Sequence, residues 1–176
     1  MKELGFYFFQ FINERISAKA SEIEIYIVED IAKDRLELIV KDNGQRFDSA
    51  SMEKNSQSGL LAHPSLKFLM QNSRQYGGDN HMLSHKQTGN MIEIDYPLKD
   101  IYRPRLGDIT PYLSMLIFSH PKIHFIYSQM SHLGEFIFDS DTFKSAIFDL
   151  DNESAEFLSS FKDLLQDKIS DIQDLA

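Results

Sequence analysis

The chain offers six histidines and no cysteine. Disulfides, thiolate metal sites and thiol nucleophiles are therefore excluded. His81 and His85 have the i, i+4 spacing of a helical zinc pair. The residues around them read as a strand, however, and four strand residues span about 13 Å, too far to share an ion. His120 and His124 straddle Pro121, which keeps them off a common helical face, and His132 stands alone near a turn. A carboxylate is more distinctive. Asp42-Asn43-Gly44 closes the strand pattern Leu36–Val40 and is a strong turn signal, so Asp42 sits at the end of a strand.

The elements that position these groups follow from periodicity. Residues 3–18 form an amphipathic helix in which Leu4, Phe8, Phe11, Ile12 and Ile16 recur at three- and four-residue spacing, with Gln10 and Glu14 on another side. Strands follow at 23–28 and 36–40, with a turn around Lys33-Asp34. Residues 49–62 are polar, Ser-rich and aperiodic, and read as a loop. Pro64 opens a helix over 64–76 that Gly77-Gly78 ends. A hairpin over 80–85 and 90–96 turns around Gln87-Thr88-Gly89.

Beyond Pro97, Ile101–Arg105 is an extended connector. A helix over 107–119, strands near 123–130 and 134–138, and helices near 141–148 and 152–174 complete the chain. The expected fold class is α+β: an antiparallel or mixed sheet with helices on one face. Two parts are expected, residues 1–97 and a C-terminal extension over 98–176.

Composition narrows function further. At 176 residues and 42% hydrophobic, the chain is long enough for a complete core. A formal net charge of −9 argues against a general electrostatic grip on nucleic acid or anionic membrane. The apolar start at Gly5–Phe9 is broken by Gln10 and by Asn13-Glu14-Arg15, too early for a signal peptide or membrane span. A cytoplasmic location is expected. From Asp139 onward there are ten acids and three lysines, a net of 3 − 10 = −7. The last helix nevertheless keeps an apolar stripe and is expected to dock or pair rather than trail as a disordered tail. The Phe-rich first helix is read as core, with a homodimer contact as the minority reading.

The ordered set of elements resembles the GHKL (Bergerat) superfamily of histidine-kinase-like ATP-binding domains. More narrowly, it resembles small bacterial ATP-binding proteins with a C-terminal extension. The stretches that carry the resemblance are Met1–Leu4, Ile25–Asp30, Val40–Gly44, Gly77-Gly78-Asp79 and Arg103–Ile109, with Phe125-Ile126-Tyr127 and Gly134–Asp139 as weaker matches. The resemblance implies ATP with magnesium as ligand. It also implies site residues: Gln10, Asn13 and Glu14 on the first helix, Asp42, Gly44 and Arg46 at the adenine box, Gly59 and Ser65 at the phosphate lid, and Thr88 at the last box.

Against that pattern the chain departs in four places. The superfamily's acid and asparagine on the first helix become Gln10 and Glu14. An amide is no general base at neutral pH, while Glu14 retains the oxygen ligands magnesium prefers and is the candidate metal ligand. Asn13 lies about 100° around the helix from Glu14. The second glycine of the Asp-x-Gly-x-Gly box is Arg46, whose guanidinium is suited to a phosphate. The lid's Gly-x-Gly is replaced by His63-Pro64-Ser65, although Ser58-Gly59 keeps one glycine nearby. Thr88-Gly89 reverses the usual order.

These departures favour a regulatory or protein-interaction protein with weak or lost ATP turnover, so no catalytic residue is assigned. The alternative is an active ATP-dependent protein kinase or ATPase resembling anti-sigma-factor or histidine kinases. A phosphoacceptor histidine as in a sensor kinase is not expected, since the sequence shows no long dimerising helix pair ahead of the ATP-binding-like region.

Overall fold

The computed structural model describes residues 3–47, 63–146 and 155–173. In chain order the elements are α1 (Leu4–Ser17), β1 (Glu22–Asp30), β2 (Arg35–Asp42), α2 (Pro64–Gln75), β3 (Asn80–His85), β4 (Gly89–Pro97), α3 (Thr110–Ser119), β5 (His124–Ser131), β6 (Gly134–Asp139), α4 (Ser140–Ala146) and α5 (Ala155–Ser170). The fold is α+β, as the alternation of helical and strand periodicity predicts. The expected loop over 49–62 lies outside the described residues.

The six strands form one sheet in the order β3-β4-β2-β1-β5-β6. All neighbours run antiparallel except β1 and β5, which pair in parallel with Ile25 opposite Tyr127. The sheet is thus mixed, and strands from both sides of Pro97 contribute to it.

Strict alternation sorts the strands' side chains. Ile23, Ile25 and Ile27 of β1, Leu36, Leu38 and Val40 of β2, and Phe125 and Tyr127 of β5 are almost fully buried on one face. There they meet Leu4, Phe8, Phe11 and Ile12 of α1, Leu66 and Leu69 of α2, and Leu113 and Leu116 of α3 in one continuous core. Tyr96 also points inward, and its hydroxyl donates to the Leu69 carbonyl at 3.1 Å. The last helix docks as its stripe predicts: Phe161, Leu165 and Ile169 are buried, and the Phe161 ring packs on Phe118, Phe138 and Phe143.

The segment joining β4 to α3 is bound back onto the first helix. The Leu4 and Gly5 amides donate to the carbonyls of Arg105 and Leu106 at 2.8 and 2.9 Å, satisfying donors that a helix start leaves without internal partners. No helix among the described residues is long and apolar enough to cross a membrane.

Candidate functional site

The first helix sends a cation into the core. Leu4, Phe8, Phe11 and Ile12 define its buried stripe, and Arg15 falls three and four residues beyond the last two, on the same side. Arg15 is only 1% exposed. On β2, Asp42 follows Leu36, Leu38 and Val40 on the core face, and the two residues meet there. Arg15 Nε donates to Asp42 Oδ2 at 2.8 Å and an Nη2 hydrogen to Oδ1 at 2.9 Å, the bidentate fork of guanidinium on carboxylate. Nη2 also donates to the Gln45 carbonyl. The ring of Phe47 lies 4.2 Å from the guanidinium carbon, a cation–π contact in a desolvated setting.

Asp42 spends most of its acceptor capacity inside the chain. Its Oδ1 also accepts the Gly44 amide at 2.8 Å and the Asn90 side-chain amide at 2.9 Å. Asn90 donates further to the Gly44 and Gln45 carbonyls, and its own Oδ1 accepts Ser84 Oγ at 2.6 Å. Two glycines let these segments close. A Cβ on Gly44 would lie 2.9 Å from Ala18 O and from Ala20 N. A Cβ on Gly89, whose φ is +79°, would lie 2.5 Å from Asp42 O.

A second internal pairing seals the start of α2. Glu14 accepts the Ser65 amide at 3.3 Å and lies 3.1 Å from His63 Nδ1. Pro64 occupies the helix's first turn, where its missing N–H costs least. The Glu14 carboxylate therefore stands at the positive end of α2, the kind of place that suits a phosphate. The His63 ring sits edge-on to Phe47 and to Phe11, with centroids 5.5 and 6.4 Å away.

The sequence-predicted residues divide into groups. Asp42, Gly44, Arg46 and Thr88 line a polar cleft of about 520 Å³ that also takes in Glu24, Lys41 and Lys86. Glu14 and Ser65 are bonded to each other. Gln10 and Asn13 lie elsewhere, on a smaller groove between α1 and α3 with Phe6, Phe9, Tyr112 and Met115. The Asn13 amide is turned back onto the Phe9 carbonyl at 3.0 Å. Gly59 lies outside the described residues. Among the described residues no group of three or more histidine, aspartate or glutamate side chains is placed to hold a metal ion.

Arg15, Phe47 and Asn90 were not singled out by motif. Arg15 did carry a signal, because a cation on the apolar stripe of an amphipathic helix needs a buried anion. Phe47 and Asn90 carried none that distinguishes them from ordinary core and turn residues.

No protein-family model matches the chain, and no curated protein sequence matches it. Among solved structures, it is similar to the crystal structure of the N-terminal domain of a DNA repair protein, at 13% identity and a TM-score of 0.50. The match covers 78% of this chain and 52% of the other, so the chain spans about half the length of that neighbour. At this identity the likeness concerns the fold alone.

Proposed function

We propose that this chain is a regulatory or protein-interaction protein on a scaffold resembling the GHKL ATP-binding fold, with ATP turnover weak or lost. The observation that carries the reading is the buried Arg15–Asp42 fork. On the GHKL resemblance Asp42 is the adenine-recognising carboxylate, yet its oxygens already serve Arg15, Gly44 and Asn90. Glu14 supports the same reading. A carboxylate already seated at the start of α2 would meet an incoming triphosphate with like charge. The partner on this reading is a protein in the cytoplasm. The net charge of −9 weighs against nucleic acid and anionic membrane as partners.

One observation favours the second reading, a working ATP-dependent kinase or ATPase. The 520 Å³ cleft beside Asp42 is lined in part by Lys41, Arg46 and Lys86, cations suited to phosphates. Calorimetric titration with ATP, with and without magnesium, separates the two. The proposal expects no saturable heat up to millimolar ATP. Micromolar binding that disappears in a folded Asp42→Asn variant, accompanied by phosphate release or transfer, would replace it with the enzyme reading.

A further inference from the structure

The core helices cover one face of the sheet, and on the other Tyr26, Ile39 and Ile126 are only partly buried. Strand register places Ile39 of β2 beside Tyr26 of β1, and Tyr26 beside Ser128 of β5, which in turn faces Ile137 of β6. Ile126 lies one row away, between Glu24 and Asp139. Apolar side chains thus recur across the uncovered face, interrupted by Ser128 and with the Lys41 ammonium 4.9 Å from the Tyr26 ring centroid, and Ile137 is 61% exposed at the edge strand. At one end the strip opens into a shallow groove of about 510 Å³ whose lining includes Val28, Ile31 and Met130. Part-exposed apolar side chains grouped on one sheet face are the kind of surface that marks an interaction site.

Charge on this face selects the occupant. Arg35 is tied to Asp95, Lys41 to Glu24, and His124 to Glu22 and Asp139. Glu37, Glu93 and Glu135 have no salt bridge among the described residues, so the surplus is acidic and borders the strip on two sides. Burial, and then the Glu93 carboxylate on the neighbouring strand, hold the Glu37 carboxyl above its ordinary pKa. Two copies of this face would repel one another, and an anionic membrane would be repelled as well.

We infer that the uncovered face of the sheet docks a basic amphipathic helix of a partner protein. Its apolar stripe would lie along Tyr26, Ile39, Ile126 and Ile137, and its lysines or arginines would reach Glu37, Glu93 and Glu135. The inference builds on the protein-interaction reading above but does not depend on whether ATP binds.

The test uses the full chain and three synthetic peptides of roughly 18 residues, about five helical turns. One is an amphipathic Leu/Lys helix, the second its scrambled isomer of identical composition, and the third a Leu/Glu counterpart. The expected result is saturable binding of the first alone, with isoleucine methyl shifts at Ile39, Ile126 and Ile137. Ile137→Glu and Glu93→Lys should each weaken it roughly tenfold or more while leaving the melting temperature near that of the parent. Glu93→Gln should give a smaller loss in the same direction.

Equal binding of the scrambled isomer would overturn the inference, as would shifts confined to the groove between α1 and α3. Self-association in sedimentation that Ile137→Glu abolishes would overturn it too, by assigning the face to a second copy. ATP hydrolysis assayed alongside separates the readings: turnover with peptide binding intact sinks only the lost-turnover reading, and the absence of both sinks only the docking surface.

Discussion

Arg15 and Asp42, one on the first helix and the other at the end of β2, hold each other through two hydrogen bonds of 2.8 and 2.9 Å, with side chains only 1% and 2% exposed. A pair so far from water needs further hydrogen bonds to hold it. The Gln45 carbonyl, the Gly44 amide and the Asn90 amide supply them.

Breaking one side of the pair should be costly. Arg15→Met strands the Asp42 carboxylate and Asp42→Asn strands the guanidinium, each at about 3–5 kcal/mol. The Arg15→Met/Asp42→Asn double variant should cost clearly less than the sum of the two. Urea denaturation of the four proteins reads the coupling. Nucleotide assays on Asp42→Asn therefore need a folding control, because a loss of stability would imitate a loss of binding.

Glu14→Gln should loosen α2 from α1 without unfolding the protein. The glutamine side chain keeps an oxygen that can accept the Ser65 amide, so the cost should be about 1 kcal/mol. Hydrogen exchange at the Ser65 amide should quicken, while protection of β1 and β2 stays unchanged.

Gly89→Ala combines a positive φ with a Cβ placed 2.5 Å from the Asp42 carbonyl oxygen. The strain should cost at least about 1–3 kcal/mol. Because that carbonyl belongs to the turn holding the Arg15 fork, the amide signals of Gly44 and Gln45 should shift along with those of the hairpin. A hairpin effect that leaves the turn's signals in place would contradict the described packing.

His124 links three strands. Its Nδ1 lies 3.4 Å from Glu22 and its Nε2 3.3 Å from Asp139. Burial disfavours its imidazolium, but Asp139, Asp141 and Glu22 outweigh that and raise its pKa above 6.5. A group whose folded pKa is raised contributes its full stability below the unfolded value of about 6.5 and loses it as pH rises through the folded one. Wild-type Tm should therefore fall across that window more than that of His124→Gln. The His124 NMR titration midpoint should drop in Asp139→Asn. An unchanged midpoint would mean that the bridge does not form in solution.

Much of the fold was legible because its periods are strong. The β1 alternation Ile23-Ile25-Ile27 and the α1 stripe Leu4-Phe8-Phe11-Ile12 are set by burial, and burial is what a hydrophobic pattern records. The parallel pairing of β1 with β5 was not legible, since neither strand carries a mark naming its neighbour. At the candidate site, the turn at Asp42 and the special place of Gly44 were visible in the residues themselves. What Asp42 bonds to was not, because Arg15, Phe47 and Asn90 converge on it from distant parts of the chain. A motif read around Asp42 alone leaves it free for a ligand, whereas the packed chain gives its oxygens to its own side chains.

The pairing of β1 with β5 also dictates a schedule. Ile25 and its partner Tyr127 are roughly a hundred residues apart, so during synthesis the strand destined for the sheet's interior waits with an open edge until β5 has left the ribosome. At about 5–20 residues per second the wait lasts roughly 5–20 seconds. Throughout it, the Ile-rich β1 presents unpaired backbone to whatever is near. Newly made chains should therefore depend on holding chaperones far more than the finished protein does.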